Sequence, residues 1–428
     1  MSKNTLYNAG DVVVDSIVVF GENSVVHNIT DQVVELEIYE SIEDVFMSGH
    51  VIINDGVSLY SLFPFVGKEI IEINFHTPNF PESCKFSQRF YIHRVSDKES
   101  SGRVGVYTLF FSSYEYIRDA MTRVSCSFKG NASSVVEKLM GSGYLNATMP
   151  THIEDSKNQV AFVSNFWTPT KCIEYVSRQA LNYKGNPNFL FFQNHNGFLF
   201  ISLDTLFDKV EEHIYQLFAY TDEKRLAQSN DLLTMQKSHN DDYMKILDYK
   251  LRTDYNVFNR LTDGFYGGST VTYNPGLHQY NFVAQQPSFG ECNHLNKHSP
   301  VPIVRPNYAS NMNYIPTTLQ VYDGLYDHTD LTMRVKRDAI MSRLKSTEID
   351  IVVNGRCDYV VGQIVSVILP KDRQYVTDEN RDLVLSGNYL VHSIVHHIVR
   401  GKHTCVLGLC KDSYLIDINK PALTLSQK

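Results

Sequence analysis

The sequence lacks long apolar runs and clusters of basic residues. No stretch of about 20 consecutive apolar residues occurs, so we predict no membrane insertion. The first residues, MSKNTLYNAGDVVVDS, lack the apolar core of a secretory signal. The 39 lysines and arginines are outnumbered by 47 aspartates and glutamates, which gives a formal charge of −8. This balance argues against tight or sequence-specific binding to nucleic acid.

Cysteine and tryptophan are also scarce. The seven cysteines are widely spaced and form no Cys-x-x-Cys pair, which indicates a reduced, cytosolic protein rather than a disulfide scaffold. None of the short motifs of serine hydrolases, zinc proteases or P-loop proteins occurs. Tryptophan occurs once, but 26 tyrosines and 24 phenylalanines, with many valines and isoleucines, favour strands over helices.

Four histidines and two cysteines lie close together near the C-terminus, in Tyr389–Asp417. The β-branched residues of Tyr389–Val399 fall on both alternating sets, which predicts a strand buried on much of both faces. Arg400-Gly401 then predicts a turn, and His403–Leu409 predicts the returning strand. We therefore expect a hairpin here.

The strand geometry bears on whether these histidines bind a metal. His392 and His396 share a face, but residues four apart on a strand are separated by about 13 Å. Pairing across the turn places His396 near Cys405 and His397, on the opposite face, near Thr404. One His–Cys pair falls short of the four ligands of a structural zinc site. We expect no metal here, and histidines on a sheet surface or at a subunit contact.

Two stretches, 66–117 and 361–416, share one order of features. Each runs through Val-Gly, an apolar strand, a polar excursion, a strand led by tyrosine, a glycine turn and a further strand. The landmarks lie at similar spacings, which are 24 residues from Gly67 to Tyr91 and 27 residues from Gly362 to Tyr389. Further strands precede each stretch, in Val33–Gly56 and in 248–268 with 347–355. This pattern predicts two copies of one antiparallel unit, each large enough to curl into a small barrel or sandwich.

Between the copies the periodicity becomes helical. The pattern predicts helices over Asn131–Met140 and over Trp167–Ala180, where Thr168 caps the start and Pro169 follows it. It also predicts a hairpin over Asn188–Leu203 around its Asn-Gly turn, a helix at Asp330–Lys345 and a long loop at Gln285–Thr317.

This order of parts resembles the central baseplate hub protein of contractile-tailed phages of the T-even type. The segments FWTPTKCIEYVSRQA and FLFFQNHNGFLFISL and the terminal strand pair carry the resemblance, which extends from about Val14 to Asp417. The hub part of type VI secretion spike proteins is similar too. Those proteins continue into a β-helical spike, whereas this chain stops soon after Asp417, so we expect the spike to be another polypeptide.

The resemblance implies a structural role in the virion tail baseplate, with assembly in the host cytoplasm. Such a hub is a homotrimer in which two barrels per subunit form a pseudo-six-fold ring. The ring joins a three-fold spike to the six-fold tail tube and lets DNA pass. The implied partners are a trimeric spike or tail lysozyme protein, a tube-initiating protein, the tape-measure protein and the baseplate wedge. An acidic or neutral lining suits DNA passage, and the net charge agrees with it.

We therefore expect an α+β, mainly β fold with two tail-tube-like antiparallel β-barrels and an intervening α/β region that contains helices. The predicted division is a first barrel at 1–118, a helix and hairpin domain at 119–215, a second barrel with its preceding helix at 216–283 and 318–418, a loop or insertion at 284–317 and a tail at 419–428.

Two other functions remain open at this point, a tail-associated cell-wall hydrolase and a carbohydrate-binding tail protein. Cys292–His298 offers Cys-x-His-x3-His, which is short of a fourth zinc ligand. Asp241 and Asp242 are adjacent and would point to opposite faces of a strand, which makes a poor acid pair. Tyr266–Ser269 predicts only a glycine turn. We assign no catalytic, cofactor-binding or metal-ligating residue and no cofactor, and we expect the protein not to be an enzyme.

Overall fold

The fold is mainly β, as the sequence predicts. This computed structural model describes residues 8–21, 26–56, 65, 67, 69–80, 85–101, 104–209, 213–216, 243–253, 256–274, 278–285, 292–298, 311–316, 329–371 and 381–417. Asp241, Asp242, the tail at 419–428 and much of Gln285–Thr317 lie outside these ranges. Among the described helices, none combines the length and apolar character needed to cross a bilayer.

The first copy of the repeated unit is built from β1 to β7. These strands are β1 (Val13–Phe20), β2 (Val26–Asn28), β3 (Val33–Ser41), β4 (Ser48–Asp55), β5 (Ile70–His76), β6 (Lys85–Ser101) and β7 (Val104–Ser112), with a 3-10 turn at Thr30–Gln32. Buried and half-buried residues alternate along β3, β4 and β5, because each strand turns one side to a core and the other away from it.

The middle of the chain holds shorter strands and most of the helices. The helices are α1 (Tyr114–Met121), α2 (Ala132–Met140), α3 (Pro169–Gln179) and α4 (Leu203–Phe207). The strands are β8 (Ser127–Asn131), β9 (Thr151–Ile153), β10 (Gln159–Val163), β11 (Phe189–Asn194) and β12 (Gly197–Ser202). The predicted helices correspond to α2 and α3, and the predicted hairpin is β11–β12, closed by the pair Asn194 and Gly197. The Thr168 side chain caps α3 by accepting a hydrogen bond from the Lys171 amide.

The second copy contains β13, β14 and β18 to β21. The remaining elements are β13 (His213–Gln216), β14 (Ile246–Leu251), α5 (Val257–Thr262), β15 (Gly268–Asn274), β16 (Gln279–Gln285), β17 (Met312–Pro316), α6 (Thr329–Leu344), β18 (Thr347–Asn354), β19 (Ile364–Ile368), β20 (Gly387–Val399) and β21 (Lys402–Lys411). The helix predicted at Asp330–Lys345 is α6. Strands β15, β16 and β17 form a separate small sheet.

The two copies have the same strand order. The first runs β3-β4-β7-β6-β5-β1 and the second runs β14-β18-β21-β20-β19-β13. With the three-residue strand β2 left out, and numbered by their order along the chain within each copy, both read 2-3-6-5-4-1. The last strand differs in direction, since β1 pairs antiparallel with β5 whereas β13 pairs parallel with β19. A shared order of six strands is hard to obtain from unrelated units, so it supports an internal duplication.

Irregularities of the ladders also coincide. The register shift between Val33 and Glu35 on β3 matches the shift between Ile246 and Asp248 on β14. A second pair of shifts lies between Ile92 and Arg94 on β6 and between Val391 and Ser393 on β20. Bulges are features of a particular backbone path, so their coincidence strengthens the case.

One detail of the sequence alignment is wrong. Tyr91 pairs with Ile70 and Ser112, and the residue in the same place of the second copy is Leu390, which pairs with Ile364 and Cys410. The alignment of Tyr91 with Tyr389 is one residue off, because β6 has an additional bulge between Ser96 and Glu99.

The copies are not separate bodies. Strand β3 of the first copy pairs antiparallel with β20 of the second, from Glu35 opposite Val399 to Ser41 opposite Ser393. This pairing fuses both copies into one 13-stranded sheet. Among the described strands the main path of the sheet ends at β14 and β2, and a branch through β19 ends at β13. The described sheet does not close into a barrel within the chain.

Three apolar cores lie against this framework. The first copy packs around Phe75, Phe86 and Phe111, and the second around Tyr215, Tyr359 and Tyr389. The third core joins α2, α3 and the β11–β12 hairpin. The predicted helix stripe of α3 is core, since its buried residues include Cys172, Ile173 and Val176.

Gly49 on β4 tests the packing of the first copy. A Cβ atom there would lie 2.3 Å from the Glu37 carbonyl oxygen and 2.6 Å from Phe111 Cζ. We expect Gly49→Ala to lower the free energy of unfolding by about 2–3 kcal/mol, measured by urea denaturation, because strand and ring must both shift. Gly143→Ala, where a Cβ meets nothing within 4 Å, is the control. Equal stability of both variants would contradict this packing.

Candidate functional site

The junction between the two copies brings together the histidines that the sequence singled out. We call β3, β20 and β21 the seam. Register confirms the predicted hairpin, with His396 opposite Cys405 and His397 opposite Thr404. The expected burial on both faces holds only near the start of β20, because from Ser393 onward buried and half-buried residues alternate. The seam therefore has one polar and one buried face.

The polar face of the seam carries acidic groups beside a histidine. His397 Nε2 lies 3.0 Å from Glu35 Oε1 and 3.8 Å from Glu37 Oε1. Glu37 also accepts a hydrogen bond from the Tyr39 hydroxyl, which lies 3.2 Å from His50 Nδ1. Burial and the Glu37 carboxylate raise the pKa of Tyr39, so its hydroxyl stays protonated and donates. This half-buried face can attract cations and repel phosphate.

The buried face of the seam carries a second polar cluster. His396 Nδ1 lies 3.1 Å from His403 Nε2, and Cys405 Sγ lies 3.3 Å from both nitrogens. Glu40, which pairs with Ile394 on the same face, lies beside them with a fully buried side chain. His195, from the turn of the β11–β12 hairpin, contacts Glu40 Oε1 through Nδ1 at 3.0 Å.

Desolvation sets the protonation of this cluster. Burial, and secondarily neighbouring histidines, lower the pKa of His396 and His403 to about 3, so both rings are neutral at neutral pH. Burial also raises the pKa of the Cys405 thiol well above its usual value. The cluster therefore consists of neutral, lone-pair-bearing atoms next to one buried carboxylate.

These positions correct part of the sequence interpretation. His396 and His403 are fully buried rather than on a sheet surface, whereas His392 and His397 are half-buried. The sequence interpretation missed the part played by His403, although it lies two residues before Cys405 and so shares its face. Glu40 and His195 come from distant segments, and no local pattern indicates them.

The side chains of Cys292–His298, which we considered only as a possible partial zinc set, have separate partners. His294 Nδ1 lies 2.6 Å from Asp412 Oδ2, and His298 instead pairs with Tyr414 through the backbone. Cys292 and His294 border a cavity of about 20 Å³, which has room for about one water molecule. A Cys-His-Asp nucleophile needs room for a substrate, and none is present here.

Burial raises the pKa of the Cys292 thiol to about 11, the reverse of an activated nucleophile. We expect iodoacetamide at pH 7.5 to react with the Cys292 thiol about 100-fold more slowly than with the thiol of free glutathione, because only a small fraction of the Cys292 thiol is ionised at that pH. Peptide mass spectrometry after timed labelling would measure this. If Cys292 were labelled as fast as glutathione, a catalytic role for Cys292 would again be supported.

The Tyr266–Ser269 segment leads into β15, and its aromatic ring packs edge-on against Phe265. The guanidinium of Arg343 lies 5.3 Å from the centre of the Phe265 ring and is itself buried. These are packing contacts that connect α6 to the small sheet.

Similarity to known proteins agrees with this architecture. The chain is 21% identical over 416 residues to the probable baseplate hub protein gp334 of Vibrio phage KVP40, covering 90% of this chain and 91% of that protein. The resemblance to a phage baseplate hub protein is confirmed. No protein-family model matches the sequence.

Two solved tail proteins share the fold. A tail protein from Neisseria meningitidis MC58 superposes with a TM-score of 0.54 at 10% identity, covering 93% of this chain and 96% of that chain. The 43 kDa tail protein of prophage MuSo2 from Shewanella oneidensis gives a TM-score of 0.52 at 8% identity, covering 93% and 98%. The chain thus shares the fold of these two tail proteins.

Proposed function

We propose that this chain is the hub of a phage tail baseplate, and that three copies form a pseudo-six-fold ring. The observation that carries the proposal is the repeated strand order together with the β3–β20 pairing. That pairing joins the two copies within one chain. If the same pairing is repeated between chains, six copies from three chains close a ring.

The chain offers a suitable pair of strand edges for this repetition. The equivalent of β3 in the second copy is β14, which pairs with β18 on one side and with no other described strand. The equivalent of β20 in the first copy is β6. Its pairing with β5 ends at Tyr91, and beyond that residue only its β7 side is paired in the described sheet. Exposed edges of this kind pair readily with a second chain.

The register of this contact follows from the seam. Glu37 is opposite His397 within the chain. When β14 is aligned with β3 at their matching bulges, Lys250 falls at the position of Glu37. When β6 is aligned with β20 through their pairing with β7 and β21, position 99 falls at the position of His397. Lys250 of one subunit would therefore be opposite Glu99 of the next. Opposite charges directly across a strand pair favour the contact.

Exposed apolar residues surround the same edge. Leu247 and Leu251 on β14 are 44% and 41% exposed, and Phe258 on the adjacent α5 is 80% exposed. A ring contact would cover this patch, which supports an interface here.

The polar face of the sheet suits a passage for DNA. It carries Glu35 and Glu37 on β3 and, on β18, Glu348 and Asp350, all half-buried in the chain. The opposite face is already occupied by the cores. Lys250 shares this face and Arg252 pairs with Asp350. We infer that the face lines the passage, where Glu35 and Glu37 would repel phosphate and keep DNA from binding.

The proposed partners follow from the symmetry. A three-fold spike or tail lysozyme protein would bind one side of the ring, and a six-fold tube-initiating protein would bind the other. The tape-measure protein and the baseplate wedge would complete the surroundings, with assembly in the host cytoplasm before incorporation in the virion tail.

Mass photometry of the purified chain tests the proposal. We expect a species of three chains of 49.0 kDa at micromolar concentration, with or without added spike protein. A monomer under both conditions would contradict the ring.

We do not favour the cell-wall hydrolase alternative. Neither Cys292 nor its surroundings meet the needs of a nucleophile, and the similar proteins are a probable baseplate hub protein and a tail protein. A peptidoglycan release assay separates the two functions, and the hub proposal expects no release.

A further inference from the structure

The buried cluster of the seam has the geometry of a metal site. His396 Nδ1, His403 Nε2 and Cys405 Sγ form a triangle with sides of 3.1, 3.3 and 3.3 Å. All three residues are buried, and each offers one ligand atom within 4.8 Å of the others. The three atoms lie within hydrogen-bonding distance of one another and converge on one point.

The triangle has the size that a tetrahedral ion requires. Its centre lies about 1.9 Å from each corner, and an ion about 1 Å out of the plane would lie about 2.1 Å from all three. Zinc bonds to imidazole nitrogen and thiolate sulfur are about 2.0–2.3 Å long. Small side-chain adjustments would therefore complete three of four coordination positions.

The fold positions these ligands firmly. His396 and Cys405 are opposed in the β20–β21 ladder, and His403 lies two residues from Cys405 on the same face. The His403 ring packs edge-on against Phe75, 5.7 Å between centres, and the His396 ring lies 6.3 Å from Phe86. Packing of this kind preorganises the first coordination shell.

Hydrogen bonding alone leaves this cluster poorly satisfied. His396 Nε2, His403 Nδ1 and Glu40 Oε2 are buried without a hydrogen-bond partner among the described atoms. The two ring nitrogens are not the ligand atoms; they would carry the ring protons when His396 Nδ1 and His403 Nε2 bind an ion. A divalent ion bound by the thiolate and next to the Glu40 carboxylate would make the total charge zero, which relieves the buried negative charge.

We propose that His396, His403 and Cys405 bind one zinc ion in the seam. Glu40, on the neighbouring strand and the same face, supplies a balancing negative charge outside the three ligands. The ligands come from β20 and β21 of the second copy, and Glu40 comes from β3 of the first. The ion therefore joins β20 to β21 and attracts β3 through Glu40, and this role does not depend on ring formation.

Metal analysis of the full-length chain tests the site. After expression with added zinc and exhaustive dialysis, mass spectrometry of the metals should give about one zinc per chain. Cys405→Ala and His396→Ala should each reduce the content at least tenfold. Cys410→Ala and His397→Gln are the matched controls, since Cys410 is buried on the same strand and His397 lies on the opposite face. Both controls should keep the metal.

A second measurement covers variants that fail to fold. The wild-type chain is unfolded in denaturant that contains a chelator and is then refolded with cobalt. Absorbance from charge transfer between thiolate and cobalt should then appear and saturate at one cobalt per chain. Glu40→Gln should weaken zinc retention about tenfold or more while leaving all three ligands in place. The proposal fails if the wild-type chain holds neither zinc nor cobalt, if it holds copper instead of zinc, or if Cys405→Ala keeps its zinc.

Discussion

Lys250→Glu is expected to abolish the trimer at micromolar concentration. The substitution places two carboxylates opposite each other at every contact between β14 and the neighbouring β6. Replacing an attractive cross-strand pair by a repulsive one costs about 1–2 kcal/mol. The ring repeats the contact three times, so the cost is about 3–6 kcal/mol and the assembly constant falls by about 10²–10⁴. Sedimentation equilibrium over a range of concentrations would measure this loss.

Charge exchange separates a specific contact from general damage. Glu99→Lys alone should also dissociate the trimer, whereas the double variant Glu99→Lys with Lys250→Glu should restore it. Lys129→Glu, at an exposed position of β8, changes the net charge equally and should leave the trimer intact. A trimer that survives both single substitutions would show that another surface joins the subunits.

Asp204→Ala is expected to cause the largest loss of stability. The buried Asp204 carboxylate accepts hydrogen bonds from the side chains of Asn182, Asn186 and Asn188 and from the Asn293 amide. Hydrogen bonds to a charged group contribute roughly 1.5–3 kcal/mol each, and their donors would remain buried. We expect the free energy of unfolding to fall by about 4 kcal/mol or more, measured by urea denaturation with circular dichroism.

Asp208→Ala is the matched control for Asp204. Its exposed carboxylate accepts from Asn293 Nδ2 at 2.7 Å and from the Tyr183 hydroxyl at 3.4 Å. Exposed contacts of this kind contribute little, so we expect a loss of about 1 kcal/mol or less. If Asp204→Ala lowered the free energy of unfolding equally little, the Asp204 carboxylate would not organise the segment that carries Asn182, Asn186 and Asn188.

Local periodicity was sufficient for much of the fold. β-Branched residues on both alternating sets of Tyr389–Val399, followed by the Arg400-Gly401 turn, predicted the β20–β21 hairpin. The order of landmarks in 66–117 and 361–416 predicted the duplication that the strand order supports. The α1 helix at Tyr114–Met121 was missed, since eight residues give too short a pattern.

The seam could not be predicted in this way. The partners Ile38 and His396 are far apart in the sequence, and no periodicity within either strand specifies which distant edge it meets. The same holds for Glu40 and His195, whose contact depends on the placement of the middle domain. The position of His403 beside Cys405 could have been predicted from the sequence, because residues two apart on a strand share a face.

Cryo-electron microscopy of the purified chain would show directly whether three subunits form the ring. We expect a three-fold ring of six similar β units around an open hole, with strand density continuous from β14 of one subunit to β6 of the next. A monomer, or a ring whose subunits meet through other strands, would contradict it.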